Sequence, residues 1–240
     1  MNDEAVHQCG NCRQHDIGSF VAKTGIARST QAVEFLQRDH VVYLALFGRH
    51  ATPKVGVAQR QRFSDRIHEQ GAWAAIDILQ TDGSKARAIE RQINTEMRLP
   101  ETMNIEKKLK QIGDALDEET ARSILEQTIE DIRHRLTSIP ARAEQFIFTR
   151  PDFDITEHAI DDAVYLIKPI ELDFRLSGQI VGILGKVALI LSVDKVYALN
   201  TKLLEGYEIE MSVSEDGITG ADSYGLHTKK VPIDKQERLF

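Results

Sequence analysis

The stretch from residue 41 to residue 104 constrains the fold more than any other part of the chain. It opens with an apolar run, Val41-Val42-Tyr43-Leu44-Ala45-Leu46-Phe47, then crosses a polar turn holding Gly48 and Pro53. A second run, Lys54-Val55-Gly56-Val57-Ala58, follows. Both runs are β-branched or aromatic-rich and bounded by Gly and Pro, the pattern of two strands joined in a hairpin. Residues 60–70 are helix-forming and stop at Gly71, a residue suited to the left-handed turn that ends a helix. A third strand is predicted over 73–79 and a second helix from Ser84, with Ile89, Ile93 and Met97 as its buried stripe. Pro100 and Asn104 lie just beyond it.

Downstream, residues 105–112 and 117–136 read as two helices. Asp117 is a good N-cap, and Leu125, Ile129, Ile132 and Leu136 recur on one face. Ile139-Pro140 ends the pair, which is predicted to form a helical hairpin without chemistry of its own. From residue 145 the period changes to short strands punctuated by Gly178, Gly182, Gly185 and Gly206. The Gly-rich stretch 177–186 lacks the Gly-Lys-Ser/Thr ending of a phosphate loop, so its glycines fit hairpin turns and close strand crossings better. The expected class is α+β: a three-stranded antiparallel sheet with flanking helices over 41–104, a helical hairpin over 105–140, and a mostly-β domain over 145–213. An N-terminal segment, 1–40, precedes these, and a polar tail, 214–240, follows.

The chain carries a net charge of −7, which by itself argues against a nucleic-acid binder. Placement changes that reading. Between Arg49 and Arg98 there are nine Lys or Arg against six Asp or Glu, so the candidate core carries a local net of +3. The remaining balance of −10 lies elsewhere, much of it in 101–130 and 152–173. No apolar run approaches the roughly 20 residues of a membrane helix. The acidic start, Met1-Asn2-Asp3-Glu4, has no apolar segment behind it, so the expected location is cytoplasmic with no membrane partner.

Both cysteines fall in His7-Gln8-Cys9-Gly10-Asn11-Cys12-Arg13-Gln14-His15. Cys9 and Cys12 are spaced to offer two thiolates to one zinc, with His7 or His15 as further ligands. The other reading is a degenerate knuckle with free thiols in a reducing compartment. Glu90 also has two readings. It sits about 100° around its helix from the buried stripe, with Arg87 and Asn94 on its own face. It is either a site carboxylate at the sheet edge or one half of an ion pair with Arg87 or Arg91.

The order of strand with Tyr, strand with Gly, helix with Arg, strand, and helix with Glu resembles the GIY-YIG nuclease domain. Val42-Tyr43 stands for the end of the first motif and Lys54-Val55-Gly56 for the second, with Lys54 where that family has a Tyr. The resemblance implies a phosphodiester-cleaving site with Tyr43, Arg66 and Glu90 as catalytic residues. Glu90 would hold one Mg²⁺ or Mn²⁺, Tyr43 would orient or deprotonate the attacking water, and Arg66 would neutralise the scissile phosphate. Lys54, Arg60, Arg62 and Asn104 are the expected nucleic-acid contacts, and DNA the expected partner.

Over most of its length the chain also resembles the domain-of-unknown-function family 2797. The residues that carry the likeness are Val42-Tyr43-Leu44-Ala45, Lys54-Val55-Gly56-Val57, Arg66, Gln70-Gly71-Ala72, and Gly182-Ile183-Leu184-Gly185 with Asn200 and Gly206-Tyr207. At the other end, Gln236-Glu237-Arg238-Leu239-Phe240 resembles short peptides that dock on DNA sliding clamps, with Gln236, Leu239 and Phe240 as partner-binding residues. A tail folded back on its own domain is the alternative. Two functions follow as expectations: nuclease-like processing of nucleic acid, or a non-catalytic nucleic-acid-binding or clamp-associated adaptor.

Overall fold

The structure, a computed structural model, describes residues 29–48, 52–100, 102–113, 116–149, 163–168, 176–192, 194–205, 208 and 228–233. Ser29 caps a short helix, α1 (Thr30–Gln37), by accepting from the Ala32 N–H at 3.1 Å. The predicted hairpin follows as β1 (Asp39–Leu46) and β2 (Lys54–Gln59), antiparallel, with Tyr43 opposite Gly56. Side chains alternate across a strand. Val42, Leu44 and Leu46 therefore enter one core, and Val41, Tyr43, Ala45 and the following Phe47 enter another on the opposite face. Both faces of β1 are covered, which is why its sequence is apolar from Val41 onward.

A 3₁₀ turn, Arg60–Arg62, leads into α2 (Phe63–Gln70), which lays Phe63 and Ile67 on the Tyr43 face. Gly71 ends α2 at φ +64°, its N–H returning to the His68 carbonyl at 2.8 Å. β3 (Ala74–Asp82) pairs with β1 on its other side. Asp82 then caps α3 (Gly83–Met97), accepting from the Lys85 N–H at 3.0 Å. α3 packs on the face opposite α2, with Ala86 and Ile93 buried and Ile89 and Met97 partly so.

The helical pair is present as α4 (Ile105–Lys110) and α5 (Glu118–Arg135). On α5, Leu125, Ile129 and Ile132 are buried in the first core as the spacing predicts. Burying each such side chain contributes roughly 1.5–3 kcal/mol, enough to hold a helix whose other face is charged.

The first sheet has four strands, in the order β2-β1-β3-β4, not three. The extra strand, β4 (Phe146–Phe148), runs antiparallel to β3, so this segment belongs with the first sheet and not with the later β region. Asp77 fixes it there, its carboxylate accepting from the Gln145 N–H at 2.5 Å. Burial pushes the Asp77 carboxyl up.

The second sheet has the order β6-β7-β8-β5-β9, from β5 (Ala163–Ile167), β6 (Gln179–Leu184), β7 (Val187–Ser192), β8 (Lys195–Asn200) and β9 (Thr228–Pro232). β5 lies parallel to β8 and antiparallel to β9. Within the polar tail read from 214, residues 228–232 form an edge strand, ending in a Pro that an edge tolerates. The chain is α+β. One core cluster joins residues of both sheets and both hairpin helices, from Val42 through Leu125 to Val196. No helix among the described residues is long and apolar enough to cross a membrane.

Candidate functional site

The site begins with a missing side chain. Tyr43 and Gly56 are cross-strand partners on β1 and β2. A Cβ at position 56 would stand 2.6 Å from both the Cζ and the Oη of Tyr43. Glycine therefore lets the phenol lie across β2, which is the free edge of its sheet. The ring is 1% exposed and leans on Phe63, with centroids 5.4 Å apart. The register of β1 against β3 shifts between Val42 and Tyr43, an irregularity of the kind that re-aims a side chain.

Gln70, the last residue of α2, organises what surrounds the phenol. Its Nε2 donates to Tyr43 Oη at 2.6 Å, and its Oε1 accepts from Lys54 Nζ at 3.2 Å. Its backbone carbonyl, left without an intrahelical donor where α2 stops, accepts from Lys108 Nζ on α4. Lys108 also lies over the Phe47 ring, 4.8 Å from its centroid. Arg66 precedes Gln70 by one helical turn and so shares its face. Its guanidinium is 48% exposed, 3.6 Å from Glu69, and close enough to the Tyr43 hydroxyl to act on its ionisation.

Glu90 arrives from the other face of the sheet. Its carboxylate accepts from Arg87 Nη1 at 2.9 Å, and the two side chains are only 16% and 21% exposed. The ion-pair reading of the sequence is therefore correct for Arg87, although the pair is half-buried and not on an open surface. Around the free edge of β2 the charge of Glu90 is felt at both Tyr43 and Lys54.

Burial sets the protonation of this group. It raises the Tyr43 hydroxyl, and the Gln70 hydrogen bond and the Arg66 charge offset this only in part. The phenol thus stays protonated at neutral pH, which makes it a hydrogen-bond donor and not a base. Burial lowers Lys54, with Arg66 acting in the same direction. Lys108 is lowered by burial, then by Lys54 and Arg66, to about 8. Charged Lys108 therefore costs the fold stability below about pH 8, and that cost fades as the pH climbs toward 10.5.

The remaining predicted contacts are more scattered. Arg60 and Arg62 are exposed on the 3₁₀ turn, and Arg62 is paired with Glu69. Asn104 is exposed and caps α4, accepting from the Lys107 N–H at 2.8 Å. Its side chain steadies the helix that carries Lys108. Asn104→Ala should cost about 1 kcal/mol, read as a melting temperature lower by roughly 2–4 °C. Cys9, Cys12, Gln236, Leu239 and Phe240 lie outside the described residues.

A divalent ion at Glu90 would have one carboxylate to use. Arg87 engages one carboxylate oxygen, Oε2. One turn further along α3, Asn94 Oδ1 is buried without a hydrogen-bond partner. Mg²⁺ needs only one or two carboxylates and keeps most of its water. Among the described residues no three His, Cys, Asp or Glu cluster as a protein-only metal cage.

Gln70 and Lys108 are the site residues that sequence reasoning missed. Gln70 did stand out, but only as part of Gln70-Gly71-Ala72. Its role depends on α2 stopping at that point, which frees its carbonyl. A family model described as Protein of unknown function (DUF2797) matches residues 5–209. Neither a curated protein nor a solved structure matches the chain.

Proposed function

Starting from a chain that belongs to the DUF2797 family, we propose that it processes nucleic acid through a nuclease-like, GIY-YIG-type site. The observation that carries this reading is the hydrogen-bonded chain Tyr43–Gln70–Lys54 across β1, α2 and β2, with Arg66 and Glu90 both acting on the Tyr43 hydroxyl. Arg66, half-exposed and planar, presents donors to a phosphate and would neutralise the charge that grows there during cleavage. Lys54 adds a second cation at the position where the GIY-YIG motif has a Tyr. Tyr43, buried and held protonated, would fix Gln70 and through it Lys54. Glu90 would hold Mg²⁺ or Mn²⁺ through the carboxylate oxygen that Arg87 leaves open. When bound, such an ion supplies Lewis-acid stabilisation of the attacked phosphate and the leaving oxygen.

A second reading, a non-catalytic DNA-binding module, is favoured by the replacement of a motif phenol with Lys54 and by the Arg87 pair on Glu90. Nicking of supercoiled or branched DNA with Mn²⁺ separates the two. Under the nuclease reading the wild type nicks, and Glu90→Gln, which keeps the shape but loses the charge, nicks about 10²-fold more slowly. Equal rates, or no nicking by either protein, leave the binding module standing instead.

A further inference from the structure

Three cations from three elements surround Gln70. Lys54 Nζ, from β2, is held by its side-chain oxygen, and Lys108 Nζ, from α4, by its main-chain oxygen. Arg66 lies one turn back on the same helix face. The three are close enough to depress one another's basicity: Arg66 lowers Lys54, and both lower Lys108.

The neighbouring acids offset this charge only in part. Glu69 is engaged by Arg62 as well as Arg66, and Glu90 by Arg87. On α4 itself, Glu106 is drawn to Lys229 of β9 at 2.6 Å, and Lys107 and Lys110 add only positive charge. Half-buried like charges are costly unless a counter-ion meets them. An ammonium has three donors, and among the described residues Lys54 and Lys108 each make one hydrogen bond. Donors therefore remain for a shared acceptor. A tetrahedral oxyanion, offering several lone pairs and negative charge, matches them.

We propose that Lys54, Arg66 and Lys108 form a seat for one backbone phosphate of a nucleic acid, with Lys108 as a direct phosphate contact. The inference rests on the nucleic-acid reading of this site but requires neither cleavage nor a metal at Glu90. The seat should also respond to pH. Lys108 faces Lys54, Arg66, the Phe47 ring and the Gln70 carbonyl, and loses its proton near pH 8 in the free protein. Binding should then weaken as the pH rises through that point.

Binding of a fluorescein-labelled branched DNA, followed by anisotropy across a salt series, tests the seat. Lys108→Gln should bind about tenfold more weakly, with the slope of log K against log salt reduced by about 1. Lys108→Arg should recover binding relative to Lys108→Gln at pH 7 and show a shallower decline than the wild type between pH 7 and 9.5, Lys54 accounting for what decline is left. Melting curves of each variant check that the fold is kept.

If the wild type binds DNA and Lys108→Gln binds equally well with the same slope, the seat is wrong while the nucleic-acid reading survives. If the wild type binds no DNA, that reading fails, and a thermal shift with inorganic phosphate gives the remaining answer. Stabilisation of the wild type but not of Lys108→Gln would reassign the seat to a free phosphate and overturn the backbone assignment. Stabilisation of neither, or of both alike, would remove the seat altogether.

Discussion

Gly185→Ala should lower the stability of the protein by about 3 kcal/mol, seen as a melting temperature lower by roughly 6–12 °C. The reason lies in the closest approach between the two sheet regions. Gly185, in the turn between β6 and β7, faces the end of α2. A Cβ there would stand 2.6 Å from the Gly71 nitrogen, 2.7 Å from the Glu69 carbonyl oxygen and 2.8 Å from the Gln70 carbonyl carbon. These are backbone atoms, so no side chain can rotate out of the way. Position 185 also has φ +60°, a conformation that costs an L-residue about 1–2 kcal/mol.

The damage should extend to the site. The displaced segment carries the Gln70 carbonyl that holds Lys108. DNA affinity should therefore fall together with the melting temperature, measured at a temperature where the variant is still folded. An unchanged melting temperature would mean that the two backbones are not in contact at all.

Gly56→Ala is the second large effect, expected at about 2 kcal/mol from overpacking. Its Cβ would meet the far end of the Tyr43 ring at 2.6 Å, so the phenol must leave either Gln70 or the surface of β2. A double-mutant cycle isolates this cause. In a Tyr43→Leu background the obstruction is gone, and Gly56→Ala should cost little. The coupling between the two changes should be about 1–3 kcal/mol by chemical denaturation. Additive effects would show that the glycine serves some other purpose than clearing the ring.

The sequence made the first hairpin legible because the hydrophobic pattern of β1 and β2 is strong and bounded by turn residues. The α5 stripe was legible for the same kind of reason, with Leu125, Ile129 and Ile132 falling on one face. β4 was not, because three residues carry no period and their place is fixed by Asp77, nearly seventy positions earlier. β9 was hidden likewise: Thr228-Lys229-Lys230-Val231-Pro232 reads as polar chain until β5 supplies a partner.

At the site, Tyr43 and Arg66 were visible through motif order, and the structure brings them together. The pairing of Glu90 with Arg87 was visible through helical spacing. Gln70 and Lys108 were invisible because their meeting depends on where one helix ends and another, thirty-eight residues on, comes to rest. Asn104 stood out by its offset from Glu90, and its role as a helix cap follows from its place just before α4.

The partnership of β5 with β9 has a consequence during synthesis on the ribosome. Roughly sixty residues separate the two strands, and at translation rates of about 5–20 residues per second β5 waits some 3–12 s before its outer hydrogen-bonding groups are met. Over that interval a nascent chain offers a bare strand to any neighbour able to pair with it. Crowded polysomes are where this protein is most exposed to wrong association.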